Sequence, residues 1–91
     1  MSTSLLDGAW ELAPQVSVRP EPFGALLYHF GTRRLSFLKD RKLLAMVQGL
    51  AEASSARQAC AAAGVDGAEM TAYERALARL AATGMVRERG R

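Results

Sequence analysis

Apolar residues recur at two different periods along this chain. From Trp10 to Arg19 they alternate, at Trp10, Leu12, Val16 and Val18, as a half-buried strand requires. Pro14 interrupts that alternation and predicts a bend or an edge position, because proline has no amide to give a neighbouring strand. Pro20-Glu21-Pro22 reads as a short, stiff connection, since each proline fixes its own φ. Phe23 to Phe30 and Arg34 to Leu38 read as two further strands. Gly31-Thr32 between them suits a two-residue type II′ turn with glycine at the first central position. That turn sets Phe30 opposite Arg33, Tyr28 opposite Leu35 and Leu26 opposite Phe37. One face then carries Leu26, Tyr28, Leu35 and Phe37 and is expected to meet the core. The other pairs His29 with Arg34, Leu27 with Ser36 and Ala25 with Leu38, a mixed set expected to be wetter.

Beyond Lys39 the period lengthens to that of a helix. Asp40 is placed to cap a helix over 41–52, with Leu43, Leu44, Val47, Leu50 and Ala51 on one stripe. Ser55 with Gln58 is a capping-box signature for a short helix to Ala63, ended by Gly64. Asp66 with Glu69 repeats it for a third helix, ended by Gly84, whose stripe is Met70, Tyr73, Leu77 and Leu80. The fold class is therefore α+β and winged-helix-like: an N-terminal three-stranded antiparallel sheet followed by a three-helix bundle. Residues 1–9 are expected to be a flexible N-terminus, 10–86 the folded domain and 87–91 a basic C-terminal tail. Only Met85 to Arg91 follow the third helix, too few for a usual C-terminal wing.

Composition narrows the function more than the fold. With 91 residues, 49% of them hydrophobic, the chain can bury one core and has little left for a second domain. No apolar run approaches the ~20 residues of a membrane span, and Met1 to Leu6 lack the basic and long apolar segments of a secretory signal. A cytoplasmic protein is the expectation. Cys60 is the only cysteine, so no internal disulfide forms, and among alanines it reads as a small buried hydrophobe.

No catalytic constellation is visible. His29 is the only histidine and sits mid-strand without a nucleophile or carboxylate motif beside it, and the glycines have no phosphate-loop spacing. The chain is read as a non-enzyme that needs no cofactor and no metal. The net charge of +3 gathers at Arg33, Arg34, Lys39, Arg41 and Lys42, and again at Arg87, Arg89 and Arg91, and could attract an acidic partner. Nucleic acid is disfavoured, because Arg75 and Arg79 on the third helix are offset by Glu69 and Glu74. An unpaired edge at Arg34 to Leu38, by contrast, suits an added peptide strand, a second copy of the chain, or a covering helix.

The run from Arg19 to Phe30, followed by Gly31 to Leu38, resembles the peptide chaperones of mycofactocin biosynthesis. That group is allied with the pyrroloquinoline quinone chaperone and the wider RiPP precursor recognition elements. The resemblance is dense over about residues 10–50 and is mainly one of helix pattern beyond. It implies a non-catalytic domain that binds the leader of a short ribosomal precursor peptide as an added strand. The complex would present the peptide to a radical SAM maturase, which carries the iron–sulfur clusters and S-adenosylmethionine. Carried onto this sequence, the binding edge is Arg34, Leu35, Ser36, Phe37 and Leu38, and the helical wall is Tyr73, Ala76, Leu77 and Leu80. A proline at Ser36 is then expected to weaken peptide binding if the Ser36 amide faces the ligand. A small DNA-binding regulator and a purely structural subunit of the maturase are the alternatives.

Overall fold

A computed structural model describes residues 4–89, and in it Pro14 divides the first predicted strand between two sheets. β1 (Trp10–Leu12) turns at Ala13-Pro14-Gln15 into β2 (Val16–Glu21), which pairs with β3 (Gly24–His29), and β3 pairs with β4 (Leu35–Leu38). Three helices follow, α1 (Arg41–Gly49), α2 (Ala56–Ala62) and α3 (Met70–Ala82), and then β5 (Val86–Glu88). β5 returns to pair antiparallel with β1, so a two-stranded ribbon stands apart from the three-stranded sheet β2-β3-β4. The fold is α+β with antiparallel sheets and three helices. Its strands are not all N-terminal, because the ribbon joins both ends of the described chain.

The β3–β4 register is the one read from sequence: Tyr28 faces Leu35, Leu27 faces Ser36, Leu26 faces Phe37 and Ala25 faces Leu38. The turn that produces it is different. His29 N–H donates to Arg34 O (3.0 Å) and Arg33 N–H to His29 O (2.7 Å), closing a four-residue loop, Phe30 to Arg33. The positive φ falls on Arg33 (62°), not on Gly31. A two-residue and a four-residue loop differ by one residue on each side, so the pairing parity survives the wrong turn. His29 Nδ1 accepts from the amides of Gly31 (3.0 Å) and Thr32 (3.1 Å), so this histidine closes the loop.

The faces of the hairpin are reversed from expectation. Ala25, Leu27, His29 and Leu38 are buried, while Leu35 and Phe37 are exposed. The reason lies in β2: Val16 stands opposite His29, Val18 opposite Leu27 and Pro20 opposite Ala25, so its apolar alternation joins the Leu27 side. Helix α1 then packs on β3 and β4 from that side, burying Met46, Val47 and Leu50 with Leu27 and Leu38. Pro20 lies inside β2 and the connection tightens to Pro22-Phe23.

α1 and α2 start where their caps predict, whereas the cap at Asp66 opens a 3₁₀ turn, Gly67–Glu69, from which α3 continues. Asp40 accepts from Leu43 N–H (2.6 Å) and Ser55 Oγ from Gln58 N–H (3.1 Å), and Asp66 with Glu69 forms a complete capping box. Gln58 completes no box, since its side chain accepts from Ser54 instead. The first predicted helix ends as α1 followed by a 3₁₀ turn, Leu50–Glu52.

Both predicted loose ends are structured where described. Leu5–Asp7 form a 3₁₀ turn, Leu6 enters the core, and Ser4 Oγ donates to the Glu74 carboxylate on α3. Arg87 and Glu88 belong to β5, and the Arg89 guanidinium donates to the carbonyls of Ala51 and Ala53. Residues 1–3 and 90–91 of those predicted ends lie outside the described residues.

Cys60 on α2 is fully buried, and that burial pushes its thiol pKa up. Its thiolate is correspondingly scarce. A thiol reagent should leave the folded chain unmodified and label it in denaturant, as mass spectrometry would show. Prompt labelling of the folded chain would contradict this placement.

Candidate functional site

β4 is one outer strand of the sheet β2-β3-β4 and carries no neighbour on its far side among the described residues. In an antiparallel pair, residues that exchange hydrogen bonds alternate with residues that do not. The bond from His29 N–H to Arg34 O makes that pair a hydrogen-bonded one. Leu27–Ser36 and Ala25–Leu38 follow at the same parity. Ser36 and Leu38 therefore spend their amides and carbonyls on β3. Leu35 and Phe37 turn theirs to the open edge.

The other outer strand is blunted. By the same parity β2 presents Val16, Val18 and Pro20 outward, yet Val16 N–H already donates to Ala13 O (3.0 Å) and Pro20 has no amide. Only Val18 keeps a free donor on that side. β4 is the better template.

A groove runs between β4 and α3. One recess of about 240 Å³ is lined by Leu35 to Leu38 on the strand and by Leu43, Ala76, Arg79, Leu80 and Thr83. A second, of about 350 Å³, continues past Phe37 and is lined by Lys39, Asp40, Leu43, Ala72, Tyr73, Ala76 and Arg79. The groove exists because alanines at 72 and 76 leave the α3 wall low. Its floor is apolar, and Lys39 and Arg79 carry positive charge at its sides.

Tyr73 locks the far end. Its hydroxyl donates to Asp40 Oδ1 (2.9 Å), the same oxygen that caps α1, so one carboxylate ties α3 to the start of α1. Burial, with the Asp40 bond adding to it, holds the phenol well above its ordinary pKa, so it remains a donor. Lys42 on α1 meets Glu69 at the start of α3 (2.6 Å), raising the lysine and lowering the carboxylate.

Of the residues read from sequence, Leu35, Ser36, Phe37, Leu38, Tyr73, Ala76 and Leu80 all line this groove. Arg34 sits at its loop end, exposed, and lines neither recess. Leu77 is 0% exposed and lines neither recess, so it is core. The Ser36 amide faces β3 and not the open edge, so the condition placed on a proline at that position is not met. The sequence reading missed Lys39, Asp40, Leu43, Ala72, Arg79 and Thr83. Positions 72, 76, 79 and 83 follow one another at helical spacing, which was the available signal.

The peptide chaperone MftB family model matches residues 9–87. The peptide chaperone MftB of Mycobacterium tuberculosis is 59% identical over 80 residues, spanning 88% of this chain and 73% of that protein. The one from Mycolicibacterium smegmatis is 52% identical over 80 residues, spanning 88% of this chain and 78% of its own. No solved structure gives a significant match. These relatives are named as chaperones, not as catalysts, and the role of the chain is non-enzymatic. The chain belongs to the peptide chaperone MftB family, the mycofactocin chaperones that its Arg19–Leu38 segment resembles.

Proposed function

We propose that this chain binds the leader of a short precursor peptide by strand addition along β4 and presents it to a radical SAM maturase. The observation that carries this reading is the open β4 edge beside the α3 groove. Leu35 and Phe37 supply the main-chain bonds. Ligand residues opposite Ser36 and Leu38 point toward α3 and enter the recesses over Ala76, Leu80 and Arg79, because side chains alternate along a strand. Backbone pairing gives affinity and the recesses give specificity. The winged-helix-like layout serves to hold one edge and one helix at a fixed separation. No helix among the described residues is long and apolar enough to cross a membrane.

Titration of the purified chain with its cognate precursor peptide, followed by calorimetry, tests the reading. Saturable binding in the micromolar range is expected. A chain that binds the maturase but not the peptide would be a structural subunit instead, and the proposal would fail.

A further inference from the structure

The outer side of the sheet faces away from the helices, and of its residues Leu35 and Phe37 also border the recesses of the groove. Among the described residues, Phe23 (48% exposed), Phe30 (60%), Leu35 (56%) and Phe37 (63%) are the exposed large hydrophobic residues, and all belong to the β2-β3-β4 region. They form one continuous surface. The rings of Phe23 and Phe37 lie 6.1 Å apart, those of Tyr28 and Phe30 meet edge to face at 5.2 Å, and Leu26 and Tyr28 stand opposite Phe37 and Leu35. Contiguous exposed apolar surface of this kind marks an interaction site on a soluble domain.

Its border is basic. Arg19 lies beside Leu26, and Arg33 and Arg34 occupy the hairpin loop. Glu21 is the carboxylate at this border and is held by Arg19 (2.9 Å), while Arg33 and Arg34 make no ion pair among the described residues. A second copy of the chain is a poor occupant, because self-pairing offers this basic border no free carboxylate.

We propose that this face seats a second protein whose contact surface is apolar and bordered by carboxylates, docked while the peptide occupies β4. The inference rests on the strand-addition reading in one respect. Ligand residues opposite Leu35 and Phe37 project to this same side, so a bound peptide widens the face and the second protein touches both. That continuity favours a protein over an anionic membrane, which would take the arginines and the exposed rings but make no use of the bound peptide. In the proposed function the occupant is the maturase.

The test compares the full chain with the double variant Phe23→Glu/Phe30→Glu, using the cognate peptide and the radical SAM maturase as probes. Both residues are exposed and outside the groove, and a thermal melt checks that the variant stays folded. Peptide affinity should hold to within about twofold while maturase affinity falls about tenfold or more. In the parent chain, added peptide should tighten the maturase complex and salt should weaken it. Unchanged maturase binding by the variant overturns the proposal. So does a parent dimer that the variant dissolves, or parent binding to phosphatidylcholine–phosphatidylserine vesicles that the variant loses. A parent chain that does not bind peptide overturns the strand-addition reading instead, and the maturase titration without peptide still decides the face.

Discussion

Replacing Phe37 with proline should cut peptide affinity at least about tenfold without destabilising the domain, while proline one residue earlier should destabilise the sheet. The Phe37 amide points to the open edge, so its loss breaks no bond within the chain. It does remove a donor from the ligand and puts the pyrrolidine ring where the ligand carbonyl would sit. One lost bond is worth about 1 kcal/mol, and the ring's obstruction adds to it, so affinity should fall at least about tenfold. Phe37→Ala keeps the amide and serves as the control, retaining most of the affinity for the peptide alone. Ser36→Pro instead strikes the β3–β4 ladder and leaves the Leu27 carbonyl without its partner, at a cost of about 1–3 kcal/mol. Calorimetric titration and thermal melts of the three variants separate these outcomes. Loss of binding in Phe37→Ala equal to that in Phe37→Pro would show that the side chain, not the edge, holds the peptide.

Gly24→Ala should be among the most damaging single changes to stability. Gly24 has φ +153°, and a Cβ there would stand 2.1 Å from Leu38 O and 3.0 Å from Asp40 N, both backbone atoms. Neither can move without shifting β4 or the cap of α1. Strained backbone together with overpacking costs about 3 kcal/mol or more, which for a domain of this size lowers Tm by roughly 12–24 °C. Because the displaced atom belongs to β4, peptide affinity should fall with stability, unlike the Phe37→Pro case. A Gly24→Ala variant with unchanged Tm would mean that β3 and β4 do not approach so closely.

The sequence made the hairpin register legible because parity is robust: a two-residue and a four-residue loop give the same pairs. It did not reveal which face is buried. Leu26, Tyr28, Leu35 and Phe37 form the more hydrophobic set, and on local pattern alone they should lie inside. What decides otherwise is non-local, namely the alternation of Val16 and Val18 on β2 and the packing of α1. The outer set then stays exposed, which is why it invites a partner. β5 was hidden for a similar reason. Val86-Arg87-Glu88 is too short and too charged to read as a strand, and its partner Trp10–Leu12 lies at the far end of the chain.

The groove was legible in outline. Tyr73, Ala76, Leu77 and Leu80 share one helical stripe, but a stripe has breadth, and sequence cannot divide it between core and groove. Leu77 falls on the core side, and Ala76 on the groove side with Ala72, Arg79 and Thr83. The division depends on where β4 meets α3, which no periodicity encodes.

Strand addition on β4 makes one claim that no other binding mode shares, and residue-resolved amide hydrogen exchange addresses it. On saturation with the cognate peptide, the amides of Leu35 and Phe37 should slow markedly, while Ser36 and Leu38, already bonded to β3, should change little. A saturated complex in which Leu35 and Phe37 exchange as fast as in the free chain, or in which protection appears along β2 instead, would contradict it.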